Sequence, residues 1–263
     1  MIGRILNAYS IEISKVIRLR STFLGPLLII IIVLLAPFGY PIQQDNDSDY
    51  DFLAYVLPLA INVFGHFMVL IYSATLISTE LSNGSIRMML TRPLRRREYL
   101  MAKLLHGISY ALVLNVIAVA TAFVVVRVLG NLSGIYFGDD LIYTDKEMLT
   151  TLAYTIALTA LPQFASVSFA LLLSTATRNS AASVGGALAV WIGLETLKHP
   201  LGIQRYLFST YAENPWAVFS DRCNAFPASF VPDAYWGIAV PVLYIVIFSG
   251  LTLYIIGRRN LVA

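Results

Sequence analysis

The sequence predicts an all-α, polytopic membrane protein. It would have six transmembrane helices, an N-terminal amphipathic interfacial helix and short outer-leaflet helices before the last span. Three observations lead there. Of 263 residues, 58% are hydrophobic and 13% charged, whereas soluble domains carry roughly 45–50% and about 25%. The apolar residues fall in continuous runs near the roughly 20 that a crossing helix needs, not in the alternation of a barrel strand. Lys and Arg, finally, gather on one side of the resulting topology.

Residues 2–20 place Ile2, Leu6, Tyr9, Ile13 and Val16/Ile17 at helical intervals, with Arg4, Glu12, Lys15 and Arg18 mainly on the other side. That pattern suits a helix lying along the headgroups, or a cytoplasmic extension of the first span. Span one covers about Phe23 to Phe38. It is too long for the core of a signal peptide and no small-residue cleavage motif follows it, so it reads as a retained span. Span two covers about Phe52 to Ile77, span three Leu104 to Leu129 and span four Leu149 to Leu173. Span five covers about Ala181 to Leu197, and span six, Trp236 to Ile256, ends against Arg258 and Arg259. Residues 1–263 thus form a single transmembrane domain, with 1–20 as amphipathic helix, 80–103 as a basic loop and 198–235 as an outer segment.

Orientation follows from charge. Six spans put both termini on the side that holds 13 of the 18 Lys and Arg residues, which makes that side cytoplasmic and the protein a multi-pass cell-membrane protein. Twelve of the 15 acids fall on the other side. The segment from Lys198 to about Asp233 is rich in aromatics, among them Tyr206, Phe208, Tyr211, Trp216 and Phe219. Such density favours short helices in or dipping into the outer leaflet, with an ordinary extracellular loop as the alternative.

The loop between spans two and three carries the most information. Asn83-Gly84 stops a helix, because either residue accepts a positive φ at low cost. Ser85 can cap a short helix bearing Ile86, Arg87, Met88, Met89 and Leu90. Arg92 precedes Pro93, so that helix finishes near Thr91, and a new one starts around Arg95. Flexible Met side chains and flanking arginines suit docking into a groove of an acidic partner. A basic loop anchored on anionic lipid is the plainer alternative.

The pattern Glu80, Gly84-Ser85, Leu90, Arg92-Pro93-Leu94, Arg96/Arg97, Tyr99-Leu100 and Lys103 resembles the cytoplasmic loop of type-2 ABC exporter permeases. The likeness extends to nearly the whole chain: amphipathic helix, six spans and a long outer segment. Arg95 departs from it, standing where the family often has a Ser or Thr that caps the next helix. The resemblance implies a coupling helix, about Ser85 to Thr91, seated in a cleft of a cytoplasmic ATP-binding cassette subunit. Glu80 would pair with arginines of the loop or of the amphipathic helix, and Arg178 and Asn179 would make a second, smaller contact, unless they form a plain polar turn. A second permease subunit, identical or not, would complete the pathway.

The remaining candidates are sparse. His66 lies midway along span two and is either a substrate contact or a neutral histidine bonded to a neighbouring helix. Ala182, Ser183, Gly186 and Ala187 are spaced for close helix approach, at a subunit interface or in internal packing. There is no Gly-x-x-x-x-Gly-Lys-[Ser/Thr] phosphate loop and no His-Glu-x-x-His motif. The single cysteine excludes an internal disulfide and a multi-cysteine metal site. The expected chain is therefore not an enzyme: it binds no metal, cofactor or nucleic acid, and ATP and Mg sit on the partner. Its expected role is export of a hydrophobic or amphipathic cargo such as a peptide antibiotic, drug or lipid. The rivals are an ion-gradient-driven transporter, which should show midplane acids and internal repeats, and a membrane scaffold or sensor.

Overall fold

The computed structural model describes residues 2–40, 42, 49–84, 95–177 and 179–258. Helix α1 covers Ile2–Arg18 and a 3₁₀ turn, Arg20–Phe23, leads into α2, Leu24–Gly39. Helix α3, Tyr50–Pro58, runs through a π-helical stretch, Leu59–Gly65, into α4, His66–Ser82, as one rod of 33 residues. Then come α5, Arg96–Leu129, α6, Asp145–Ala176, and α7, Ser180–Leu197. Helix α8, Thr210–Cys223, and helix α9, Asp233–Arg258, complete the α-helices among the described residues.

Five of these stretches are long and apolar enough to cross a membrane: the rod, α5, α6, α7 and α9. Six spans are expected from sequence. The remaining one corresponds to α2, whose 16 residues rise about 24 Å, short of the roughly 30 Å of a bilayer core. Helix α5, with 34 residues, rises about 51 Å and must project beyond the hydrocarbon. It begins eight residues before the expected span because Arg96–Lys103 belongs to the same helix.

Helix α6 is the hub. It packs against α4, α5, α7, α8 and α9, and 56% of its apolar window is buried. The windows of α7 and α9 are only 11% buried, so most of their apolar surface faces outward. The main core joins α2, the rod, α5, α6 and α8 around Ile29, Leu53, Leu57, Leu114, Met148 and Phe219. Gly107 permits the close approach of α5 to α6, since a Cβ there would lie 2.5 Å from a methyl of Val167.

Two features were not foreseen. A β-hairpin, β1 Ile135–Phe137 with β2 Asp140–Tyr143, stands between α5 and α6 in an otherwise helical chain. The π-helical stretch follows Pro58, and Ile61 O accepts both the His66 N–H and the Gln163 amide (3.3 Å). The amide of Asn115 in turn bonds Gln163 Oε1 at 2.7 Å, so a polar chain crosses the apolar interior from α5 through α6 to the rod.

The aromatic segment before α9 contains a 3₁₀ turn, Gln204–Tyr206, and α8. Helix α8 lies against α6 and the rod, held by Asn62 Nδ2 on Ala212 O (2.9 Å), Thr155 Oγ1 on Pro215 O (3.2 Å) and Arg222 on Thr151 Oγ1 (2.7 Å). Thr155 stands ten residues beyond Asp145, about 15 Å along α6, so α8 reaches well below that helix end.

Candidate functional site

Helix α4 stops where the sequence requires. Asn83 N–H bonds Thr79 O at 3.0 Å, and Gly84 takes φ 66°, a left-handed conformation that costs glycine little. Two residues before that helix end, Glu80 enters a cluster of charges. Lys103 Nζ on α5 donates to Glu80 Oε1 at 2.7 Å and to Glu12 Oε2 of α1 at 2.6 Å. Lys15 Nζ donates to Glu12 Oε1 at 2.9 Å and to Glu80 Oε1 at 3.1 Å, while the Tyr99 hydroxyl donates to Glu80 Oε2 at 2.5 Å. Tyr99 and Lys103 share a face of α5 because they are four residues apart.

Two carboxylates alternate with two ammonium groups, so the cluster is neutral as a whole. The Lys103 side chain is 2% exposed and that of Glu12 6%, whereas Lys15 at 41% closes the water-facing side. Burial disfavours the charge on Lys15, but hydrogen bonds and attraction from Glu12 and Glu80 outweigh it and hold the ammonium above its ordinary pKa. Removing one member of such a buried set leaves an uncompensated charge, at a cost of about 3–5 kcal/mol. Tyr9 adds a bond from α1 to Ser109 of α5 at 2.6 Å. Three elements distant in sequence are thereby joined at the end of the helices from which the basic loop springs.

The start of α5 is held separately. Arg95 is the extended residue before the helix, and the Glu98 carboxylate accepts its backbone N–H at 2.9 Å. An arginine side chain has no acceptor, so Glu98 supplies one half of a capping box without the other. The cap left open at Arg95 by the sequence pattern is in this way partly made. Arg96 Nη1 donates to Ile256 O (2.7 Å) and Gly257 O (2.5 Å), binding the last carbonyls of α9. The first and last helices therefore meet the same loop end.

The sequence-predicted residues divide clearly. Glu80 and Gly84 both lie at the end of α4, and Glu80 enters the charge cluster. Ser85, Arg87, Met88, Met89, Leu90, Arg92, Pro93 and Arg178 lie outside the described residues, as does the short helix expected between Gly84 and Pro93. Lysines of α1 and α5 are among the partners of Glu80. Asn179 caps α7, its Oδ1 accepting Ala181 N–H at 2.9 Å. His66 is buried, bonded through Nε2 to Ser166 Oγ at 2.7 Å and stacked on Trp191 of α7 at 4.8 Å.

The four small residues of α7 do not share a face. Ser183 and Ala187 are buried within the chain, and Ser183 Oγ donates to Ala74 O of α4 at 2.9 Å. For these two, internal packing replaces the expected subunit interface. Ala182 is exposed and Gly186 half-buried. The stripe that faces outward is Ala182, Gly185 and Ala189, continued by the half-buried Gly193, and a Cβ at Gly185 or Gly193 would meet nothing within 4 Å.

Sequence reasoning missed the inward turn of Glu12. Its signal was a lone acid in a helix whose other charges, Arg4, Lys15 and Arg18, are all basic. Among the described residues, no three His, Cys, Asp or Glu side chains are grouped to hold a metal ion.

Long apolar helices, a neutral ion cluster at one end and outward-facing α7 and α9 define a multi-pass helical membrane protein. A family model described as ABC-2 family transporter protein matches residues 6–203, from α1 to just beyond α7. The chain belongs to that family and is a membrane permease of an ABC transporter. A comparison with curated proteins found no match.

Proposed function

We propose that this chain is the membrane-spanning subunit of an ATP-driven exporter, coupled through the segment between Gly84 and Arg95 to a separate cytoplasmic ATP-binding subunit. The observation that carries this reading is the cluster of Glu12, Lys15, Glu80, Tyr99 and Lys103. It clamps the helices on either side of that segment to each other and to α1. A pull on the segment therefore moves α4 and α5 together, as levers long enough to reach the opposite leaflet.

The basic loop end is cytoplasmic, with both termini there and α2 as the sixth span. ATP and Mg bind to the partner, and this chain performs no chemistry of its own. The bare face of α7, with small residues at four-residue spacing from Gly185 to Gly193, supports pairing with a second permease to form the pathway. The apolar interior supports a hydrophobic or amphipathic cargo such as a peptide antibiotic, drug or lipid. Tagged chain is expected to co-purify with an ATP-binding subunit. Met88→Asp and Arg92→Glu, which change the docking segment and not the cluster, are expected to abolish that capture. Capture unchanged in both would refute docking at this segment.

A further inference from the structure

We infer that Arg96 is a positioning residue that passes movement of the loop to the last helix, α9. The inference rests on the coupling reading above and adds a second output to it. Arg96 is the first residue of α5, and its Nη1 donates to Ile256 O and Gly257 O. The contact answers a chemical need. The last carbonyls of a helix have no partner within it, and they form its negative end. A guanidinium from another helix satisfies them and supplies the complementary charge.

Position makes this contact more than a cap. Arg96, Tyr99 and Lys103 stand at i, i+3 and i+7, so they form one stripe along α5. Tyr99 holds α4 through Glu80, Lys103 holds α1 and α4 through Glu12 and Glu80, and Arg96 holds α9. Arg96 is the member nearest the segment between Gly84 and Arg95, about 10 Å ahead of Lys103 along the helix. A displacement of that segment therefore reaches α9 without passing through the cluster. Helix α9 is placed to follow. Its buried residues are Gly237, Pro241, Thr252 and Ile256. The first two offer little side chain, and Thr252 Oγ1 bonds Phe248 O of its own helix at 2.7 Å. The middle of α9 packs through rings, Phe248 on Phe169 of α6 at 5.4 Å and Tyr244 on Phe208 at 5.0 Å. Apolar contacts have no fixed direction and let a helix slide, whereas the bonds from Arg96 fix one end.

The test is amide exchange, read by mass spectrometry, on the complex with its ATP-binding subunit, with and without ATP trapped by vanadate. Without nucleotide, Arg96→Gln is expected to speed exchange in the last two turns of α9 about two- to fivefold, the weight of one charge at a helix end. Arg96→Lys, which keeps a charged donor, is expected to stay close to the unaltered chain. Trapping is expected to change exchange there in the unaltered and Arg96→Lys chains, and not in Arg96→Gln. No rise in Arg96→Gln, or a nucleotide effect on α9 that persists in it, overturns the inference. Exchange at the end of α4, residues 79–82, separates this inference from the reading beneath it. A nucleotide effect at α4 without one at α9 leaves coupling intact and overturns the inference; no effect at either end overturns both. Loss of the ATP-binding subunit from the Arg96→Gln chain would make Arg96 a docking residue and likewise overturn it.

Discussion

The two ends of the helices are held by different means. At the loop end, the cluster links Glu12, Glu80 and Lys103, residues 68 and 23 positions apart along the chain, and it is largely shut off from water. At the hairpin end, Lys198 joins Glu195 at 2.6 Å and Glu213 at 2.9 Å, partners three and fifteen residues away, and the Glu213 side chain is 56% exposed. Both carboxylates hold the Lys198 ammonium above its ordinary pKa, against the opposing effect of burial. The first arrangement fixes separate elements to one another. The second fastens a local connection, while hydrogen bonds and aromatic packing seat α8. A protein built to transmit a pull from one end should be stiff there, and the buried cross-links lie where that stiffness is useful.

This contrast can be broken by substitution. Lys103→Met leaves two carboxylates with only the half-exposed Lys15 between them, and is expected to lower stability by about 3–5 kcal/mol in chemical unfolding in detergent. Gly107→Ala drives a methyl into Val167, a β-branched side chain with little rotamer freedom. It is expected to cost about 1–3 kcal/mol and to loosen α5 from α6, as faster amide exchange along both helices would report. At the other end, Glu213→Gln removes an exposed partner and is expected to cost at most about 1 kcal/mol in the same unfolding assay. A loss at Glu213 equal to that at Lys103 would erase the distinction between the ends.

Much of the fold was legible in the sequence, for definite reasons. Continuous apolar runs fixed where α5, α6, α7 and α9 lie to within a few residues at most ends, because a lone continuous run satisfies its own backbone in hydrocarbon only as a helix. Asn83-Gly84 marked the end of α4 by its backbone chemistry alone. The hairpin was missed because its strands are three and four residues long, too short for alternation to register. The π-helical stretch leaves no periodicity of its own in an apolar run. At the site, Glu80 could be singled out, but its lysine partners could not be identified. Which way α1 turns its charges depends on packing against α5, and a helical wheel gives only their grouping. The stripe at Gly185, Ala189 and Gly193 was missed for a similar reason: several registers of small residues coexist on α7, and only its contact with α4 decides which of them faces outward.

The central claim is that this cluster passes motion between the loop and the helices. It is tested most directly by the rate of ATP hydrolysis of the purified complex with its ATP-binding subunit, comparing Glu80→Gln with Glu213→Gln. The account predicts that both chains assemble with the partner, that Glu80→Gln changes the rate and that Glu213→Gln leaves it as it was. Hydrolysis that is the same with either substitution, or with this chain left out altogether, would contradict it.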